Sequence, residues 1–154
     1  SCRYVGCVVC YNLMEVKMKF RGKYEFLSNM FNCGVEWKGE VYRCSETVFQ
    51  MEKCEREEDK KRFKLLNGFE AKSLGRKVKL RKDWNLVKVD LMRDILERKF
   101  CDDLHDKLLE VEEEIVEDND WGDRFWGRCS GEGKNVLGKL LMEIRDRRLK
   151  KLPF

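Results

Sequence analysis

Apolar positions recur along this chain with two different periods. From Ser45 onward the period is helical. Val48, Phe49 and Met51 share one side of SETVFQMEKC, and beyond Asp83 the residues Val87, Leu91, Ile95 and Phe100 return at near-helical spacing. A shorter helical run follows in LHDKLLEV, and a last one starts near Asn135 with Leu137, Leu140, Leu141 and Ile144 on one face. Ser45 is the expected N-cap of a helix reaching about Glu57, and Asp83 that of the long helix; Asn67-Gly68 and Gly75 read as helix stops.

Ahead of Ser45 the period is two. KMKFRGKYEFLSN alternates aromatic and polar residues, and VEWKGEVYRC sets Lys-Gly between two β-prone runs, the pattern of a small hairpin. The predicted fold is mainly α (α+β), a single helical domain with a small antiparallel β element near the N-terminus. Residues 117 to 134 are the longest stretch with neither period.

Composition narrows this picture. The 154 residues suit one domain, and with Pro153 the only proline there is no linker or repeat to divide it. Residues 1–16 differ in character and read as an N-terminal extension to a domain over 17–154. Charged residues make up 40% and hydrophobic ones 42%, a globular rather than disordered balance. A net charge of +4, from 33 Lys and Arg against 29 Asp and Glu, permits phosphate-bearing partners without requiring them. No run is apolar enough for a membrane span and no basic leader precedes a cleavage site, so the expectation is a soluble, cytoplasmic protein with no membrane partner. Eight cysteines are spread along the chain. Only Cys7 and Cys10 form a CxxC, with Cys2 nearby, and His105 is the sole histidine, so free thiols are expected rather than a disulfide framework or a zinc site.

Two stretches carry candidate chemistry. In the first, at ~100° per residue, Glu46, Gln50 and Lys53 fall within about 60° of one another on their helix. This stripe reads either as a solvated face with a charge pair or as one wall of a site. Glu46 lies in the first turn, where a helix N-terminus favours the ionised carboxylate. The second is VEDNDWGDRFWGRCSGEGKN, which mixes Asp118, Asp120 and Asp123 with Trp121, Phe125 and Trp126 before a glycine-rich turn, Gly131 and Gly133, entering the helix at Asn135. Rings beside carboxylates suit a site that stacks a planar group and acts on a polar bond next to it. The turn reads as a phosphate cradle at a helix start, although it lacks the GxxxxGK[ST] spacing. The other reading makes Trp121 and Trp126 packing anchors and the acids turn formers. His105 has no partner for a triad, EREEDKKRFK reads as a solvated helix face, and DRRLKKLPF is a basic tail.

Taken in order, FLSN (26–29), SETVFQMEK (45–53), LGRKVKLRKDW (74–84), M-x6-KF (92–100), VEDNDWGDRFWG (116–127) and GEGKNVLGKLLMEIR (131–145) resemble the NADAR family, which includes the YbiA-like N-glycosidases. The resemblance covers residues 19 to 149. It implies a mostly helical domain that hydrolyses an N-glycosidic bond to ribose without cofactor or metal. The implied activity is removal of ADP-ribose from guanine in nucleic acid or nucleotide. The alternatives are hydrolysis of phosphoribosylamino-pyrimidine intermediates of riboflavin synthesis, or a non-catalytic NAD or ADP-ribose binding module. Its partners would be ADP-ribose or a ribosyl phosphate, and an ADP-ribosylated nucleic acid. By position Glu46 matches the family's motif glutamate and Asp123 the acid before its Trp-Gly. Asn29, Gln50, Lys53, Trp84, Lys99, Trp126, Gly127, Asn135 and Gly138 also fall on motif positions. The resemblance gives Glu46 the sugar side and Asp123 acid or base work. Lys53 or Lys99 would bind phosphate or form a Schiff base, Trp126 and Trp121 would stack the base or adenine, and the Gly131 to Asn135 turn, Gly133 included, would meet phosphate. Residues 1–16 have no family counterpart. The spacer between Glu117 and Asp123 is five residues where some members have four, which leaves open which acid of this loop points inward.

Overall fold

The computed structural model of the chain describes residues 19–153. The N-terminal extension and the Cys2, Cys7 and Cys10 cluster lie outside the described residues. A 3-10 turn over Gly22–Leu27 comes first, where the aromatic alternation suggested extended chain. Then follow strands β1 (Val35–Trp37) and β2 (Glu40–Tyr42), and helices α1 (Ser45–Glu52), α2 (Glu57–Lys60), α3 (Gly68–Gly75), α4 (Trp84–Lys99), α5 (Asp103–Leu109) and α6 (Val136–Lys150). Between α5 and α6 the long loop carries two-residue strands β3 (Asp118–Asn119) and β4 (Arg128–Cys129), paired parallel. The fold is mainly α with a small antiparallel hairpin, as the sequence predicts; the parallel pair was not foreseen.

The hairpin closes through Lys38 and Gly39, both at positive φ (48° and 83°), the two-residue geometry that matches strand twist, in the register Val35 to Tyr42. It delivers the chain straight into α1, which is buried along its whole length and packs against α3, α4 and β1. The N-cap is Cys44, not Ser45. Ser45 is already helical, and its hydroxyl donates to Asn29 Oδ1 at 2.9 Å while Asn29 O accepts the Glu46 N–H at 3.0 Å. A backbone carbonyl from the FLSN segment thus satisfies a first-turn donor that a local cap would normally take. At the other end Glu52, 3% exposed, accepts from Trp37 Nε1 at 3.0 Å and Lys38 Nζ at 3.2 Å, so the helix stops there instead of reaching Glu57.

One other expected boundary shifts. Asn67 starts α3 instead of ending a helix: its side chain accepts the Glu70 N–H while Glu70 accepts the Asn67 N–H, a complete capping box. Asp83 is the N-cap residue of α4 as expected, but Arg81 takes both its carboxylate oxygens at 2.6 and 3.0 Å, so its side chain makes no cap hydrogen bond. Ile95, Met92, Leu96 and Phe100 on α4, with Leu137, Leu140, Leu141 and Ile144 on α6, form the core against α1 and the hairpin.

The 117–134 loop is fixed from within. Asn119 accepts the Asp123 N–H at 3.1 Å and donates to Asp123 O at 2.8 Å. Asn135, left-handed at φ 52°, accepts the Glu117 N–H at 3.0 Å and donates to Ile115 O at 2.9 Å. Gly127 lies hard against this framework, where an added Cβ would overlap the Glu117 carboxylate, the Glu117 carbonyl and the Asn119 amide. Gly127→Ala is therefore expected to destabilise the domain by ~1–3 kcal/mol, as overpacking does. The calorimetric midpoint should fall by roughly 2–10 °C; an unchanged midpoint would contradict this account of the loop.

Candidate active site

A cavity of about 820 Å³ opens between the FLSN segment, α1, α3 and the 117–134 loop. Its position follows from α1. Phe49 of that helix belongs to the core and also lines the cavity, and the loop docks on it through Trp126, whose ring meets Phe49 edge-on at 5.3 Å. Phe125 stacks edge-on to Trp126 at 4.9 Å, and Trp84 lies against Phe49 from the other side at 4.8 Å. This aromatic cluster joins two parts of the chain more than seventy residues apart and sets the width of the cavity between them.

Of the residues expected at the site, Asn29, Asp123, Trp121 and Trp126 line the cavity. Trp126 forms its wall. Trp121 stands at the mouth, 61% exposed, with Lys72 Nζ 5.7 Å from its ring centre. Asp123 points one oxygen back into its own loop, where Oδ1 accepts from the Phe125 and Trp126 N–H groups at 3.0 and 2.9 Å. Glu46 lies behind the lining, 9% exposed, with Oε1 accepting from Gln50 Nε2 at 2.8 Å. Burial holds the Glu46 carboxyl above the usual range and nearby Asp123 adds to this; the Gln50 hydrogen bond, Lys72 and Lys53 pull the other way. Glu46 and Gln50 of the stripe read as a possible solvated face are thus buried and bonded to each other, while Lys53 is half-buried. Gln50 Oε1 is the only buried side-chain oxygen or nitrogen among the described residues left without a partner, and it rests against Gly75.

The remaining expected residues lie elsewhere. Trp84 is core, 7% exposed. Lys99, 3% exposed, donates to Ser28 O at 2.6 Å, and burial lowers its ammonium to about 8; it does not line the cavity. Lys53 ends α1 outside the lining, its ammonium lowered by burial and raised by Glu46. Gly127, Gly133 and Gly138 serve close packing: an added Cβ would overlap Gly127 O at Gly133, and Ile115 O at Gly138. The phosphate cradle read into Gly131 to Asn135 is not available. The N–H groups of Lys134, Asn135, Val136 and Leu137 donate to the carbonyls of Arg124, Gly127, Phe125 and Trp126 at 2.8 to 3.2 Å, which occupies the start of α6.

The structure adds residues that sequence reasoning did not name. Lys72 and Arg76, one turn apart on α3, bring two cations to the cavity, and Arg21 and Lys19 add two from the segment before FLSN. Phe69 lines it while 73% exposed. Glu117 also lines it, 9% exposed. Burial raises its carboxyl to about 7, helped by Asp123 and Asp118 and opposed by the Asn119 hydrogen bond and Lys72. The i,i+4 pair of cations in AKSLGRK and the acid before DNDWGD were visible signals, but neither shows in sequence which way its side chain faces. Among the described residues no group of three or more His, Cys, Asp or Glu is placed to hold a metal ion, and no helix is long and apolar enough to cross a membrane. Buried carboxylates behind an aromatic wall, with cations at the opening, can bind a phosphorylated sugar and polarise a bond at its anomeric carbon.

Comparison with known proteins agrees with this architecture. The NADAR domain model matches residues 17–149. A Nostoc punctiforme protein named N-glycosidase is 32% identical over 132 residues, 80% of this chain and 85% of that protein. A Vibrio vulnificus protein named for riboflavin biosynthesis is 28% identical over 164 residues, but the match spans only 45% of its length. The solved NMR structure of Escherichia coli YbiA superposes with a TM-score of 0.77 at 31% identity, covering 89% of this chain and 88% of that one. With the family model spanning nearly the whole chain and the fold shared with YbiA, this protein belongs to the NADAR domain family.

Proposed function

We propose that this protein is an N-glycosidase that hydrolyses the bond between a ribose and a base, and that its substrate is ADP-ribose carried on guanine in nucleic acid. The observation that carries the reading is one cavity lined by the Glu117 and Asp123 carboxylates, an aromatic wall and four cations, with Glu46 buried behind it. Each part answers a need of the reaction. Cleavage passes through an oxocarbenium-like state, so a carboxylate must face the anomeric carbon, a proton must reach the departing nitrogen, and water must be placed on the sugar. Glu46, buried at the start of α1, steadies the positive sugar. The 117–134 loop supplies the proton, since Glu117 and Asp123 both line the cavity beside Trp126. Trp126 stacks a flat ring, with Trp121 and Phe69 at the mouth for a second. Lys72, Arg76 and Arg21 meet phosphate, the part first expected of Lys53, Lys99 or the glycine turn. Relatives named N-glycosidase support the reaction class. A cavity of about 820 Å³ lies in the upper part of the ~300–1,000 Å³ typical of ligand sites, which favours a dinucleotide-sized group over a single ribosyl phosphate.

The Vibrio relative named for riboflavin biosynthesis favours a second reading, a phosphoribosylamino-pyrimidine as substrate. The same carboxylates would act, with fewer phosphates to hold. A module that binds ADP-ribose without cleaving it would have no use for a carboxylate buried beside the cavity.

One assay separates these readings: the protein is offered an ADP-ribosylated guanine oligonucleotide and a phosphoribosylamino-pyrimidine side by side. Release of ADP-ribose from the first is expected, with Glu46→Gln lowering kcat by ~10²–10³ as loss of an electrostatic partner does, and Asp123→Ala losing release with the loop it holds. Release from the pyrimidine alone would move the assignment to the second reading, and binding without release from either would leave only the module. In the same assay Lys72→Met or Arg76→Met is expected to raise KM ~10- to 100-fold with kcat little changed, the loss of a hydrogen bond to a charged group. An unmoved KM would remove phosphate binding from α3.

A further inference from the structure

We propose that Glu117, rather than Asp123, is the general acid that protonates the departing nitrogen. This inference rests on the N-glycosidase reading and deepens it. The geometry of the two carboxyls differs. Glu117 lines the cavity, its Oε2 accepts from Asn119 Nδ2 at 3.0 Å, and its Oε1 has no hydrogen-bond partner among the described residues. The absent side chain at Gly127 lets this carboxyl lie flat against the loop backbone. Asp123 also has one bonded oxygen, but its Oδ1 takes the two backbone N–H groups that hold Phe125 and Trp126 in place. A proton on that carboxyl would weaken both bonds and loosen the ring wall.

The surroundings of Glu117 suit a proton carrier at neutral pH. Burial is the main influence, and the nearby charges Asp123 and Asp118 from its own loop act in the same direction. Lys72 from α3 and the Asn119 amide oppose them. Arg128 on β4 meets Glu117 only through its backbone, donating its N–H to Glu117 O at 2.8 Å, while its guanidinium lies 3.9 Å from Glu114. From the start of α6, Asn135 touches only the Glu117 N–H. The balance leaves the carboxyl protonated up to about pH 7 and ionised above it.

In the step itself the anomeric C–N bond breaks with its electron pair going to nitrogen, which takes the Glu117 proton. Glu46, behind the cavity lining, steadies the positive ribose from there. Water then bonds to the anomeric carbon and gives a proton to the Glu117 carboxylate, which restores the acid. The sum is substrate plus water giving free base and free sugar.

The test is the pH dependence of kcat/KM, from weakly acidic to alkaline, with whichever of the two substrates the wild type cleaves. Wild type is expected to lose activity above an alkaline midpoint of about 7. Glu117→Gln, which keeps the shape and the Asn119 contact, should lower the acidic plateau by ~10²–10⁴ and abolish that limb. Asp123→Asn should keep the limb but move its midpoint to lower pH, because the charge that helps hold the Glu117 proton is gone. Lys72→Met removes the cation that favours the ionised form and should move the midpoint to higher pH, a readout that stands even if Glu117→Gln folds poorly. A limb that persists in Glu117→Gln, vanishes in Asp123→Asn, or stays fixed in Lys72→Met overturns the assignment while leaving the N-glycosidase reading intact. A wild type that cleaves neither substrate overturns that reading itself.

Discussion

A short helix buried on every side has no water to satisfy its polar side chains, so its neighbours must do so. That is the situation of α1, and the elements around it are arranged as its partners. An unpaired buried polar group costs ~1–3 kcal/mol, and Ser45, Glu46, Thr47, Gln50 and Glu52 are all buried on these eight residues. Asn29 answers Ser45 and the Glu46 N–H, Leu66 O answers Thr47 at 2.9 Å, and the hairpin answers Glu52 through Trp37 and Lys38. Glu46 and Gln50 answer each other. What stability alone would not select is the choice of a carboxylate for one of these places. Burial disfavours its charge, and a neutral side chain would pack there at lower cost. Such local conflicts are expected where structure serves chemistry.

The second wall has a different physical basis. The 117–134 loop has almost no regular structure, yet its backbone is tied by asparagine side chains: Asn119 spans the Asp123 turn and Asn135 joins Ile115 to Glu117. Trp126 then fastens the loop to Phe49 of the buried helix. Cations reach the cavity from neither of these walls. They come from the α3 region and from the segment before FLSN, so the cations and the carboxylates of the cavity are supplied by separate elements.

How far the sequence disclosed this depends on the range of the interactions. Periodicity placed the long helices, because the core faces of α4 and α6 are local patterns. The Lys-Gly turn disclosed the hairpin for the same reason. Ser45 was misread as a cap because its hydroxyl is taken by Asn29, sixteen residues earlier, and no local signal records that. Asn67 was read as a stop although Glu70, three residues on, completes a capping box that marks a start. At the site, Glu46, Asp123 and Trp126 were visible as residue types set in motifs, but Glu117 stood only as one of the loop acids whose direction was open, and Lys72 and Arg76 were not singled out. Side-chain direction decided all three, and direction is set by the fold. The glycine-rich turn was misread for the converse reason. Its backbone looked free for a phosphate until the carbonyls of 124–127 were seen to occupy it.

Those four hydrogen bonds join the 117–134 loop to the start of the last helix, amide by amide. The loop cannot swing away from the cavity without exposing the N–H groups of Lys134 to Leu137 together. Opening of the acid-bearing wall and fraying of α6 at its start are therefore one event. The rate at which these four amides exchange hydrogen with solvent is, in effect, a clock for how often the reaction chamber comes apart while the core stays folded.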